Sequence, residues 1–264
     1  MSDSPLAQAW AALRVEGRAA LIPYLTAGYP TPETSLAALH AVAELSDVLE
    51  VGVPFSDPLA DGPTIQRSTF EALRQGMTLP GTLELIHRAK LDRPVVVFSY
   101  LNPLLRYGIE RFLQDAADLG VAGLLLTDLP AGGDAEVETA VAKSPVDLIR
   151  LVAPTTRPER LAQALRGAEG FIYLIARLGV TGASTALAPD LPGSIARVRQ
   201  ATPLPIAAGF GISSPEQARA VARMADGVVV GSALVDALGS GGVRQAAAFL
   251  RGLRDAVDQV EVIR

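Results

Sequence analysis

The chain has 264 residues, of which 49% are hydrophobic and 19% are charged, and its formal net charge is −5. That length fits one large globular domain or two small ones. Cysteine is absent, which excludes disulfides, cysteine-bound metals and thiol nucleophiles. The excess of acidic over basic residues argues against a nucleic-acid partner. No apolar run is long enough to cross a membrane. Because the N-terminus also lacks a targeting pattern, we expect a soluble cytoplasmic protein.

Eight short apolar runs recur along the chain, each followed by a turn and a helical pattern. They begin near Leu21, Val48, Val95, Gly123, Val146, Phe171, Leu204 and Gly227. The runs are apolar throughout rather than alternating, which is typical of strands covered on both faces in a parallel sheet. Eight such units predict an α/β fold, a (β/α)₈ TIM barrel that spans residues 1–264 as a single domain.

Helical patterns separate the runs, for example at residues 32–45, 109–119 and 215–223. Residues 5–15 predict an extra N-terminal helix over the N-terminal mouth of the barrel, and residues 53–94 leave room for a long loop and two additional helices. A doubly wound sheet is the competing α/β fold. Its G-x-G-x-x-G fingerprint is missing after the first run, where the chain reads TAGYP, so we prefer the barrel.

Two acidic residues near the second strand are candidates for catalysis. Glu50 interrupts an apolar run near its end, either as the buried partner of an arginine or as a carboxyl group with a raised pKa. Its position favours catalysis, because active sites of TIM barrels lie at the C-terminal ends of the strands. Asp61 is either part of a turn before the next helix or a second carboxylate held over the C-terminal mouth of the barrel. The nearby Phe55 and Asp57 favour the second interpretation.

The loops after strands six, seven and eight are rich in glycine. In TIM barrels the loops after strands seven and eight bind phosphate through backbone amides, and the sequence has GFGIS at 209–213 and VGSA at 230–233. The alternative interpretation is that these glycines only permit tight turns between strand and helix. Residues 177–192, after strand six, are either a lid with hydroxyl and amide donors or a plain flexible loop. Tyr173 on strand six is by default a core aromatic residue.

Histidine and lysine are too few and wrongly placed for several mechanisms. His40 and His87 fall in predicted helices, and Lys90 and Lys143 precede strands, so all four are expected far from the C-terminal mouth. This placement argues against a Schiff base, a histidine metal site and a histidine triad. We therefore expect carboxylate acid/base chemistry on a phosphorylated substrate.

These motifs resemble the α subunit of tryptophan synthase over about residues 21–239. The most specific matches are EVGVPFSDPLADGPTIQ at 50–66, GVTG at 179–182 and GFGIS at 209–213. The resemblance implies a TIM-barrel lyase of tryptophan biosynthesis. Such an enzyme cleaves indole-3-glycerol phosphate to indole and D-glyceraldehyde 3-phosphate with no metal and no organic cofactor.

The resemblance also implies roles for individual residues. Glu50 corresponds to the general acid/base, and Asp61 to the carboxylate that holds the indole N–H. Further substrate contacts are implied at Tyr173, Thr181, Gly182, Phe210, Gly211, Gly231 and Ser232. The chain departs from the family pattern at Ala176 and Leu178, and after Gly182, where it reads AST.

The implied partner is a pyridoxal-phosphate-dependent β subunit, in an αββα heterotetramer in which indole passes through a tunnel. Residues 57–63 and the segment after strand six are the candidate contact surface. Two related alternatives stay open: a stand-alone indole-3-glycerol-phosphate lyase, and a catalytically idle barrel that activates a partner subunit. A phosphosugar isomerase would be expected to need acids at the ends of strands one and five, where Thr26 and Ala153 stand.

Overall fold

A computed structural model describes residues 4–176, 190–209 and 211–260 of the chain. The strands are β1 (Ala20–Thr26), β2 (Leu49–Gly52), β3 (Val95–Ser99), β4 (Val121–Leu126), β5 (Asp147–Val152), β6 (Ile172–Ile175), β7 (Ile206–Gly209) and β8 (Gly227–Val230). They pair in parallel in chain order, and β8 pairs with β1 to close the barrel. The predicted TIM barrel and its eight strands are confirmed.

Helices alternate with the strands around the outside of the barrel. They are α1 (Pro5–Glu16), α2 (Pro32–Ala43), α3 (Pro63–Arg74), α4 (Leu79–Ala89), α5 (Leu101–Tyr107), α6 (Ile109–Asp118), α7 (Ala135–Ala142), α8 (Pro158–Ala164), α9 (Leu191–Ala201), α10 (Pro215–Ala222) and α11 (Ser232–Asp258). The predicted additional helices between β2 and β3 are α3 and α4. Within the described part of the chain, none of these helices could span a bilayer.

Helix α11 consists of two helices joined at Gly242. That glycine has φ 68° and ψ −167°, a conformation outside the helical region. Residues 232–241 therefore form a short helix of their own directly after β8. A short extra helix at this place is the feature of TIM barrels that supports phosphate binding.

Helix α1 covers the N-terminal end of the barrel, as the sequence predicts. The Trp10 ring packs against Phe171, just before β6, with ring centroids 5.7 Å apart. The Ser4 hydroxyl donates to the Asp147 carboxylate at the start of β5 over 2.6 Å. A side chain at Gly227, the first residue of β8, would come within 2.9 Å of the Trp10 ring. The helix thus packs tightly against the strand starts.

Candidate active site

Glu50 is buried inside the barrel. Its side chain lies on β2, and only 1% of its surface is exposed. Both carboxylate oxygens are buried and have no hydrogen-bond partner among the described residues. Burial raises the pKa of Glu50 from 4.5 to about 8, because the charged form loses its hydration. No arginine in the described ranges pairs with it, which favours the raised-pKa interpretation over the ion pair.

Two tyrosines border Glu50 from different walls of the barrel. Tyr24 on β1 is the direct register partner of Glu50. Tyr173 on β6 lies close enough for the Glu50 charge to raise the pKa of its hydroxyl, although burial is the larger cause. Strands β2 and β6 are not neighbours, so Glu50 and Tyr173 can meet only across the barrel interior. Tyr173 is buried in the core, as expected of a core aromatic residue, and it also lines the space around Glu50.

Glycines at the ends of two strands make room for these hydroxyl groups. A Cβ atom at Gly52, the last residue of β2, would lie 2.0 Å from the Tyr24 hydroxyl oxygen. A Cβ atom at Gly209, the last residue of β7, would lie 2.7 Å from the Tyr173 hydroxyl oxygen. Each tyrosine thus reaches over a glycine of the neighbouring strand, toward the C-terminal mouth.

Gly52→Ala is expected to destabilise the protein, because the added methyl group overlaps the rigid Tyr24 ring. We expect the free energy of unfolding to fall by about 1–3 kcal/mol, as in other overpacked cores. Urea denaturation followed by circular dichroism measures the change. Gly252→Ala is the control: a Cβ atom at Gly252 meets its nearest neighbour at 4.0 Å, and alanine in a helix should leave stability equal or higher. Equal stability of the two variants would contradict the packing at Gly52.

Asp61 is held in place by Tyr100, which follows β3. The Tyr100 hydroxyl accepts a hydrogen bond from the Ala60 N–H at 2.9 Å and bonds to the Asp61 carboxylate. Its ring also packs on Phe55, with centroids 5.2 Å apart. Burial raises the pKa of Asp61 to about 6, and the Tyr100 hydrogen bond opposes that rise. The N-cap of α3 is Gly62, so Asp61 is not the capping residue.

The two carboxyl groups face a common space. Asp61 and Glu50 both raise the pKa values of the Tyr24 and Tyr173 hydroxyls, on opposite walls of the mouth. The structure therefore brings together three residues that the sequence singles out, Glu50, Asp61 and Tyr173. Sequence reasoning missed Tyr24 and Tyr100. The position of both near strand ends was the available signal, because side chains there line the mouth of a barrel.

The glycines after β7 and β8 differ in their backbone conformation. Gly211 has φ +78°, a turn conformation that favours glycine, so the tight-turn interpretation accounts for it. Gly231 has φ −115° and ψ −88°. A negative φ is open to any residue, so the φ angle alone does not explain why glycine stands here. It is the N-cap of α11, and no side chain of the described residues caps that helix, so its first amides are open to an anion. Gly231 and Ser232 therefore suit a phosphate group.

Three of the predicted substrate contacts, Thr181, Gly182 and Phe210, lie outside the described residues, as does most of the predicted lid. His40 and His87 lie on α2 and α4, and Lys90 and Lys143 are the C-cap residues of α4 and α7. All four precede strands and lie away from the C-terminal mouth, as predicted.

Comparison with known proteins identifies the family of the chain. The family model described as "Tryptophan synthase alpha chain" matches residues 10–260. The tryptophan synthase alpha chain of Acidiphilium cryptum (strain JF-5) is 49% identical over 242 residues, covering 90% of this chain and 88% of that protein.

Two solved structures show the same fold at full length. The structure of Mycobacterium tuberculosis tryptophan synthase superposes with a TM-score of 0.90 at 40% identity, covering 97% of this chain and 99% of that one. Tryptophan synthase subunit alpha from Legionella pneumophila (strain Paris) gives a TM-score of 0.89 at 32% identity, covering 98% and 100%. The chain belongs to the tryptophan synthase alpha chain family.

Proposed function

We propose that this protein is the α-reaction lyase of tryptophan biosynthesis, which cleaves indole-3-glycerol phosphate to indole and D-glyceraldehyde 3-phosphate. The observation that carries the proposal is the buried Glu50 carboxyl group. It has no partner within the described residues, its pKa is about 8, and it shares a space with Asp61. A carboxyl group in that state is protonated at neutral pH and can donate its proton to carbon.

Each group has a defined step in the reaction. Protonated Glu50 gives its proton to C3 of the indole ring, and the ring nitrogen takes up the positive charge. The Glu50 carboxylate then removes the proton of the hydroxyl group on the adjoining side-chain carbon. That oxygen becomes the aldehyde oxygen as the carbon–carbon bond breaks, and the bonding electron pair returns to the ring. Glu50 ends protonated, so the step needs no external acid or base.

Asp61 supports this chemistry from the other side of the ring. Its pKa of about 6 keeps it ionised at neutral pH, so it can accept the indole N–H and stabilise the cationic ring. The open amides after Gly231 would hold the phosphate group of the substrate. Fixing both ends of the substrate in this way places C3 beside Glu50.

We propose that this chain works with a pyridoxal-phosphate-dependent β subunit in an αββα complex, as its resemblance to the family implies. Two exposed leucines suit such an interface: Leu59 in the loop after β2 is 89% exposed, and Leu105 on α5 is 48% exposed. Transfer of indole to the partner would keep this apolar product from diffusing away. We also propose a cytoplasmic location, because a phosphorylated substrate is retained inside the cell; cell fractionation tests it.

The function is tested by incubating the purified chain with indole-3-glycerol phosphate and measuring indole release. We expect slow release by the chain alone and a marked increase when a tryptophan synthase β subunit is added. Full turnover without the partner would indicate a stand-alone lyase. Substrate binding without indole release, in both conditions, would indicate an idle barrel that only activates its partner.

A further inference from the structure

Tyr24 offers a hydrogen-bond donor beside the buried acceptors of Glu50. Its hydroxyl oxygen has one long contact, 3.4 Å to Thr26 Oγ1, and no other hydrogen-bond partner among the described residues. Its side chain is 7% exposed, so water satisfies it poorly. Glu50, its register partner, has two buried carboxylate oxygens that no group in the same part of the chain satisfies. A buried acceptor that is unsatisfied carries a cost, and a hydrogen bond from Tyr24 would remove it.

The Tyr24 hydroxyl group lies nearer the C-terminal mouth of the barrel than the backbone of Glu50 does. Gly52 lies two residues after Glu50 and therefore on the same inner face of β2, about 6.6 Å nearer the mouth. The Tyr24 oxygen stands directly in front of Gly52, 2.0 Å from the place of a Cβ atom. The base of the same side chain lies against Gly231, where a Cβ atom would be 3.6 Å from the Tyr24 Cβ. Tyr24 thus extends from the phosphate end of the site to the carboxylate end.

A chain of contacts between hydroxyl groups, from Tyr24 through Thr26 to Ser68, holds the Tyr24 side chain in position. Thr26 Oγ1 and Ser68 Oγ are 2.7 Å apart, and Ser68 donates to the Ile65 carbonyl oxygen of α3 at 2.9 Å. The Phe98 ring meets the Tyr24 ring edge-on, with centroids 5.3 Å apart. These contacts fix the ring, so a hydrogen bond between Tyr24 and Glu50 forms by movement of the Glu50 side chain, whose carboxylate no group in the described part of the chain holds.

We propose that Tyr24 is a further catalytic residue, whose hydroxyl group donates a hydrogen bond to the Glu50 carboxylate when that side chain moves toward it, after Glu50 has given its proton to the substrate. The proposal rests on the proposed lyase function and adds a group to its mechanism. A hydrogen bond to an ionised group is stronger than one between neutral groups. This bond therefore stabilises the state in which the indole ring is cationic and Glu50 is negatively charged. Among the residues that the structure describes, the other ionisable groups around this space are Tyr173 on β6, Asp61 after β2 and Tyr100 after β3.

Tyr24→Phe tests the proposal, because it keeps the ring and removes only the hydroxyl group. We expect kcat to fall about 10- to 100-fold, the effect of losing a hydrogen bond to a charged group, with KM changed less than about threefold. The fall of activity at alkaline pH should move upward by about one pH unit, because ionised Glu50 has lost a donor. Unchanged kcat, or an alkaline limb that stays in place, would overturn the proposal.

Tyr107→Phe is the matched control, since that hydroxyl group bonds Asp115 on the outer wall of the barrel. It should leave both kcat and the alkaline limb unchanged. A second measurement does not depend on turnover: the titration of Glu50 followed by carbon-13 NMR and assigned with Glu50→Gln. The pKa of Glu50 should be higher in Tyr24→Phe than in the wild type. If the wild type does not release indole, the lyase function fails, while this titration still decides whether Tyr24 partners Glu50.

Discussion

Glu50→Gln is expected to abolish most indole release from indole-3-glycerol phosphate. Glutamine has nearly the same shape as the protonated carboxyl group but can neither give a proton to C3 nor remove one from the hydroxyl group. Loss of a positioned acid/base group lowers rates by about 10²- to 10⁴-fold, so we expect kcat to fall within that range. Steady-state measurement of indole release, alone and with a β subunit, gives the value.

Two controls separate lost chemistry from lost structure in Glu50→Gln. Binding of glycerol 3-phosphate, measured by calorimetry, should be retained because the phosphate contacts lie near β8. Glu84→Gln, on the exposed face of α4, should keep full activity. Near wild-type turnover in Glu50→Gln would remove the basis of the proposed mechanism.

The stability of Glu50→Gln gives an independent check on the raised pKa of Glu50. Between pH 4.5 and about 8 the folded protein keeps the Glu50 proton, whereas the unfolded chain loses it. The folded state then binds more protons, so wild-type stability declines as the pH rises through that interval. The variant lacks this contribution and should decline less.

Asp61→Asn is expected to lower kcat by about 100-fold, because a neutral amide stabilises a cationic ring far less than a carboxylate does. It should also change the pH profile. Wild-type activity should rise as Asp61 ionises near pH 6 and fall as Glu50 ionises near pH 8, which gives a bell-shaped curve. In Asp61→Asn the rise near pH 6 should disappear while the fall near pH 8 remains. The measurement is kcat as a function of pH.

Asp92→Asn serves as the control for Asp61→Asn, since Asp92 is an exposed aspartate just before β3. Its profile should match that of the wild type. An Asp61→Asn profile that keeps its acid limb would show that another group titrates there, and Asp61 would lose its assigned role.

Most of the fold could be predicted from the sequence because each strand is a continuous apolar run. In a barrel both faces of the sheet are buried, so the pattern of Val48 to Gly52 or Val95 to Ser99 shows no alternation between apolar and polar residues. Glu50 stood out for the same reason, as an ionisable residue where the surroundings are apolar. Helix ends were less well defined: the helix predicted to reach Leu45 ends at Ala43.

Tyr24 and Tyr100 were missed because their importance depends on contacts that the sequence does not display. Tyr24 is one more apolar ring in the first strand until the register places it beside Glu50. Tyr100 meets Ala60 and Asp61 across 40 residues of chain. Tertiary register and loop closure determine both contacts, and neither follows from periodicity.

Helix α1 also determines how small molecules travel through the protein. By packing Trp10 and Ser4 onto the strand starts, it leaves the opposite mouth as the route for both arrival and departure. Indole formed at Glu50 would therefore leave through the C-terminal mouth, at the end of the barrel where the loop that carries Leu59 begins. A partner docked on that loop would stand at the exit and could receive each indole molecule before it reaches water.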